Sequence, residues 1–145
     1  TMLNAAPAPD TLPDALWSST DWLVVNEIEG AALAGLGVDA APAAIGAALL
    51  ARGVRGVVFT QGAQGAWVFE PRRTPIHRAA LPVEVIDTTG AGDAFIGAFA
   101  RHWAATHDAA AALTMGVAAG SLACTVRGAV PALATGEAIR RAAAR

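Results

Sequence analysis

The run Val83-Glu-Val-Ile-Asp87-Thr-Thr-Gly90-Ala-Gly-Asp93-Ala-Phe95-Ile-Gly97 decides the reading of this 145-residue chain. Apolar residues over 83–86 predict a strand, Gly90 and Gly92 a tight turn, and the residues after them a long helix. That order builds an anion site. The backbone N–H groups of Gly90, Ala91, Gly92 and Asp93 precede the first residue with a carbonyl four positions back, and glycine lets a charged oxygen approach them closely. They can stabilise a transferring phosphoryl group. A carboxylate cannot itself hold an anionic phosphate, so Asp93 makes chemical sense as the acceptor of a proton from an attacking hydroxyl. Taken alone, the commoner role of such an aspartate is to complement the helix dipole. The joint pattern overturns it: with 7 Asp, 15 Gly and 38 Ala in the chain, Asp-x-x-Gly-Ala-Gly-Asp arises by chance in roughly one such sequence in a thousand.

Outward from this run, short β-rich segments alternate with alanine- and leucine-rich ones, the pattern of a parallel sheet covered by helices. Strands are expected over 2–4, 22–25, 56–60, 66–70, 75–78 and 83–86. Helices are expected over 13–18, 27–36, 42–52, 92–105, 109–125 and 135–144. Pro13 and Pro42 suit first helical turns, and Gly37 and Gly53 suit helix stops. Between residues 62 and 85 the strands follow one another without room for helices, which predicts a small antiparallel meander. The class is α/β, in one domain.

Composition narrows the chemistry. All ten basic residues are arginine, so lysine Schiff-base, pyridoxal-phosphate and P-loop lysine chemistry are excluded within the chain. A net charge of −2 without blocks of like charge argues against nucleic acid and anionic membranes as partners, and in favour of small molecules. Every apolar stretch is interrupted before the roughly 18 residues of a membrane span, and the sequence shows no basic region leading into an apolar core and a small-residue cleavage site, so a cytoplasmic setting is expected. Cys124, the single cysteine, reads as a small buried hydrophobe. His77, His102 and His107 lack ligand-like spacing, and Trp17, Trp22, Trp67 and Trp103 are scattered, as core anchors would be.

Asp87-Thr-Thr-Gly-Ala-Gly-Asp93-Ala-Phe95 resembles the signature of the ribokinase-like (PfkB) carbohydrate and nucleoside kinases. Three further segments agree in order and spacing. Asn26-Glu-Ile-Glu29 resembles the family's Asn-x-x-Glu, and Thr60-Gln-Gly62-Ala-Gln-Gly65 its Thr-x-Gly-x-x-Gly. Leu3-Asn4-Ala5-Ala6-Pro7 is similar to the Leu-Asn-Pro-Ala-Pro of its ribokinase branch, with alanine at position 5 where proline is usual.

The resemblance implies a three-layer, doubly wound, mostly parallel sheet with a short antiparallel insertion. It also implies roles for residues. Asp93 would be the catalytic base, with the amides of Gly90, Ala91 and Gly92 as the anion hole. Thr60 and Gly62 would bind the phosphates of ATP by hydroxyl and backbone N–H, Asn26 would sit near the magnesium and triphosphate, Gly65 would complete the same cofactor-binding motif, and Val117 would lie near the adenine. Glu29 would hold Mg2+ through water, in keeping with magnesium's reluctance to dehydrate. A monovalent cation, K+, would take Asp87 and carbonyls of Thr89, Ala123, Val126 and Gly128, although Ala132 stands where a serine hydroxyl would be supplied. Each feature also has a plain reading: Asn26 and Glu29 as a capping box, Thr60 to Gly65 as a tight turn between strands, and 115–118 as core helix.

Family members have about 300 residues, and the motifs here are those of the C-terminal half. The expected role is therefore the nucleotide-binding and catalytic half of an ATP-dependent sugar kinase. The sugar pocket and the β-lid through which many members form homodimers would belong to an N-terminal half. The alternatives are a stand-alone nucleotide-binding or interaction module, and a kinase for a nucleoside or a phosphorylated sugar.

Overall fold

The computed structural model describes residues 1–7 and 11–144. In chain order the elements are β1 (Met2–Asn4), α1 (Asp14–Ser19), β2 (Trp22–Asn26), α2 (Glu27–Ala34), α3 (Pro42–Leu50), β3 (Gly56–Thr60), a 3-10 turn (Gly62–Gln64), β4 (Ala66–Phe69), β5 (Ile76–Arg78), α4 (Ala91–Thr106), α5 (Ala109–Ala123) and α6 (Gly136–Ala143). They form two compact units. One comprises Thr1–Gly62 with Ala66–His77, and the other comprises Ala63–Gly65 and the chain from Arg78 onward.

The first unit is α/β, built on a five-stranded mixed sheet in the order β1-β2-β3-β4-β5. Trp22-Leu-Val-Val and Gly56-Val-Val-Phe are buried on both faces, as near-continuous apolar runs of central parallel strands should be. β1, β2 and β3 run parallel, and the β2–β3 register pairs Trp22 with Gly56 and Asn26 with Thr60. β4 turns back antiparallel, pairing Val57 with Phe69 and Thr60 with Ala66. Leu23, Val25, Ile45, Leu49, Val57 and Phe59 make the centre of the core. Two helix glycines allow the helices to come close: a Cβ at Gly30 would lie 2.9 Å from the Phe59 ring, and one at Gly46 would lie 2.5 Å from the Phe69 ring. Trp17 and Trp22 are buried as anchors, Trp17 with its indole N–H on the Leu12 carbonyl at 3.1 Å.

The second unit is helical. α4 and α5 are joined through His107 and Asp108, whose carboxylate caps α5 by accepting the Ala111 N–H at 3.0 Å. The buried residues of α5 are nearly all small, including Ala112, Gly116, Ala118, Ala119 and Ala123. Thr135 caps α6 in the same way, on the Ala138 N–H.

Two expectations are corrected. Residues 83–86 are not a strand: the N–H groups of Ile86 and Asp87 both turn to the Cys124 carbonyl, at 2.8 and 3.2 Å, so the donors a ladder would need go to the end of α5. Val85 and Ile86 are correspondingly exposed. The stop after α2 is Gly35, with φ of 67°, rather than Gly37. Once Gly35 enters the left-handed region, the Leu36 N–H folds back onto the Ala31 carbonyl at 2.9 Å and the helix is closed.

Candidate functional site

In the first unit, the β2–β3 register places Asn26 and Thr60 side by side at the carboxyl ends of two parallel strands, the end at which open α/β sheets bind ligands. Asn26 then starts α2. Its Oδ1 accepts the Glu29 N–H at 2.9 Å, and Glu29 Oε2 accepts the Asn26 N–H at 2.9 Å. The capping box read from the sequence is present. It leaves Glu29 Oε1 outside the cap, on a half-buried side chain. An open cleft of about 250 Å³ lies here, lined by Pro7, Asn26, Ile28, Glu29 and Ala32.

Thr60 is half-buried, and its hydroxyl reaches the Val25 carbonyl only at 3.4 Å, a weak bond that can be exchanged for a better acceptor. Gly62 opens the 3-10 turn with φ of 49°. Beside it is a network the sequence did not disclose. The Trp67 indole N–H donates to Gln61 Oε1 at 2.8 Å, and Gln61 Nε2 lies 3.5 Å from Glu27 Oε1 in the first turn of α2. The Trp67 ring in turn lies 4.5 Å from His77, centroid to centroid.

In the second unit, Gly65 has φ of 94°, and a Cβ there would overlap the Arg78 carbonyl oxygen. Only glycine fits. The turn before α4 is organised by Asp87. Its Oδ1 accepts the Thr89 hydroxyl at 2.7 Å and the Thr89 N–H at 2.9 Å, and its Oδ2 accepts the Gly128 N–H at 2.8 Å. The Thr89 hydroxyl, then the Gly128 and Thr89 amides, hold the Asp87 carboxyl down at about 2, so it is ionised at neutral pH.

Gly90 caps α4 in the left-handed region, φ 77°, packed so closely on Ala129 that a Cβ would come within 2.9 Å of that side chain. The Ala91 N–H closes a turn onto the Thr88 carbonyl at 3.1 Å. Ala94 is the first residue to reach back into a helical bond, to the Gly90 carbonyl at 2.9 Å. The amides of Gly92 and Asp93 therefore precede the helical ladder, while that of Ala91 is engaged by its own loop. Asp93 is exposed on this first turn. Behind it, Phe95 fills a notch in α5: a Cβ at Gly116 would meet its ring at 3.0 Å, and one at Gly120 would lie 3.2 Å from the Ala91 carbonyl oxygen.

The other sequence candidates sit as follows. Val117 is buried on α5 at 6% exposure, so it can offer at most an apolar edge. Ala123 is buried in the last turn of α5, Val126 is exposed, and Ala132 is buried. Cys124 is half-buried, and burial together with the Asp87 charge pushes its thiol up, away from nucleophilic thiolate character. Among the described residues no three His, Cys, Asp or Glu side chains gather as a metal cluster, and no helix is long and apolar enough to cross a membrane.

Comparison with known proteins places the chain in a family. A family model described as pfkB family carbohydrate kinase matches residues 1–135. The deoxyribokinase of Salmonella typhi is 35% identical over 129 residues, 88% of this chain and 42% of that protein. The structure of Arabidopsis thaliana ribokinase complexed with ribose and ATP superposes with a TM-score of 0.90 at 30% identity, over 98% of this chain and 46% of that one. A candidate ribokinase II from E. coli, in complex with ATP and Mg2+, superposes with a TM-score of 0.77 at 31% identity, over 89% of this chain and 41% of that one. The chain thus spans less than half the length of these relatives. The chain belongs to the pfkB family of carbohydrate kinases.

Proposed function

We propose that this chain supplies the nucleotide site and the phosphoryl-transfer machinery of an ATP-dependent sugar kinase. The observation that carries the reading is the start of α4, where a left-handed Gly90 presents the Gly92 and Asp93 amides ahead of the helical ladder and exposes the Asp93 carboxylate on the same turn.

In this reading Thr60 and Gly62 hold the phosphates by hydroxyl and backbone N–H, Asn26 sits beside the triphosphate, Gly65 closes the turn of the same motif, and Val117 borders the base. Glu29 Oε1, left outside the capping box, suits a water on Mg2+, which when bound neutralises triphosphate charge. Asp93 accepts the proton as a primary hydroxyl of the sugar attacks the γ-phosphorus. The bond to the β–γ bridging oxygen breaks, and ADP leaves with that electron pair. The amides of Gly92 and Asp93 stabilise the charge on the transferring group, while the Ala91 amide, expected from the sequence to join them, is spent on the Thr88 carbonyl. Asp87, with the carbonyls of Thr89, Ala123, Val126 and Gly128, is the donor set for a monovalent cation such as K+, and its carboxylate charge suits one.

Deoxyribokinase and ribokinase relatives make a pentose the first acceptor to try. The test is ATP consumption by the protein at the length its source cell makes, across a panel of pentoses, hexoses, nucleosides and sugar phosphates. Turnover that requires one sugar, with ADP and sugar phosphate in equal amounts, supports the reading. Nucleotide binding without transfer to any acceptor replaces it with a nucleotide-binding module.

A further inference from the structure

Gln61 stands between Thr60 and Gly62, and its amide is oriented from both sides. An indole N–H can only donate, so the atom facing Trp67 at 2.8 Å must be Oε1. That turns the NH2 group the other way, toward α2, where Glu27 Oε1 lies 3.5 Å from Nε2 as a long, weak acceptor. Among the described residues nothing accepts the second Nε2 hydrogen. Gln61 is half-buried, and so is Trp67, whose ring packs on Phe69 with centroids 6.0 Å apart. The orienting group is thus itself held by the sheet.

We infer that Gln61 is a further binding residue of the nucleotide site, donating its Nε2–H to a phosphate oxygen, and that Trp67 is the residue that positions it. The inference rests on the nucleotide reading above and deepens it. In the reading above Thr60 donates an O–H and Gly62 an N–H, and the Gln61 NH2 group adds a side-chain donor at the position between them in the chain. With Oε1 held by Trp67, the amide cannot present its oxygen to an anion. Glu27 supports the same orientation by accepting one hydrogen and leaving the other. The ligand class follows: a nucleoside di- or triphosphate, discriminated by its phosphates and not by its base.

The test uses the full chain, calorimetric titration with Mg·ADP and with adenosine, and circular dichroism to confirm folding. Gln61→Glu keeps an oxygen for the Trp67 N–H and replaces the donor by a carboxylate. It should weaken Mg·ADP binding at least tenfold and leave adenosine binding unchanged. Gln61→Leu should weaken Mg·ADP several-fold, and Trp67→Phe, which keeps a ring but frees the amide to turn over, should fall between the wild type and Gln61→Leu. Wild-type Mg·ADP affinity in both folded Gln61 variants overturns the inference and leaves the nucleotide reading standing. Parallel loss of adenosine and Mg·ADP binding also overturns it, since the side chain would then act on the fold. Absence of Mg·ADP binding by the wild-type chain overturns the nucleotide reading, and this inference with it.

Discussion

Asp87 Oδ2 accepts the Gly128 N–H at 2.8 Å across 41 residues, and this bond ties the turn before α4 to the segment after α5. Together with the two bonds from Thr89 it depresses the Asp87 carboxyl from 3.8 to about 2. A depressed folded-state value means that the folded form binds its proton less readily than the unfolded chain. The stabilisation is therefore complete above the ordinary carboxylate value and is lost as pH falls from about 4 through about 2. Melting temperature measured across that window should drop less in Asp87→Asn than in the wild type, and the two curves should converge at the acid end. Parallel curves would show that the carboxylate is not tied in this way.

The capping box separates two readings of Asn26 and Glu29. Asn26→Ala removes the acceptor for the Glu29 N–H and should cost about 0.5–2 kcal/mol in denaturant unfolding. Glu29→Gln keeps an oxygen for the Asn26 N–H, so stability should change little. Its Mg·ADP affinity should fall, while affinity for ADP without magnesium should not.

Asp93→Asn, made in the protein at its natural length, should lower turnover by orders of magnitude while Mg·ADP binding persists. Unchanged turnover would remove the base assignment.

The Phe95 notch sets where α4 begins. Gly120→Val would push against the Ala91 carbonyl oxygen and the Phe95 side chain, which lie 3.2 and 3.4 Å from a Cβ at that position. Such overpacking should cost roughly 1–3 kcal/mol in denaturant unfolding. Because the strained contact is the first turn of α4, Mg·ADP affinity should fall as well, which an ordinary core substitution elsewhere would not produce.

Gly65→Ala combines a left-handed φ of 94° with overlap on the Arg78 carbonyl. The backbone strain alone is worth about 1–3 kcal/mol, and the overlap adds to it. Equilibrium unfolding should show at least that loss, whereas Gly62→Ala, with open space around its Cβ, should lose only the strain.

How much of this was legible in the sequence depended on whether the deciding partner was near in the chain. Asn26 with Glu29, Asp108 with Ala111 and Thr135 with Ala138 are separated by three residues, and such caps are written locally. The buried runs at 22–25 and 56–60 announced their strands by composition, and Gly90 announced its turn. The segment 83–86 has the same apolar look, but its fate was decided by a carbonyl at Cys124, which no local pattern shows. Gly35 and Gly37 are equally good stops on paper. Which one takes the left-handed turn depends on where Leu36 finds an acceptor. The Trp67–Gln61–Glu27 chain was invisible for the same reason: it joins a turn, a strand and a helix 34 residues away. The only hint was a polar side chain placed between Thr60 and Gly62. The residues proposed for the site stood out because their motif is dense, and the left-handed Gly90 with the pre-helical backbone after it gives that density a physical reason.

The composition of α5 carries one more consequence. An alanine or glycine side chain has no rotamers to lose, whereas an immobilised leucine or isoleucine gives up about 0.5–1 kcal/mol of conformational entropy. In the helix that backs Phe95 and holds the loop of Asp87 by its final turn, most buried positions therefore order at no side-chain entropic cost, and that cost falls on a few residues such as Leu113 and Val117. Its tolerance of mutation is correspondingly lopsided. Trimming a buried alanine removes a single methyl group, whereas volume added at Gly116 or Gly120 meets the Phe95 ring or the Ala91 carbonyl oxygen, so change along this helix is restricted from the side of added volume.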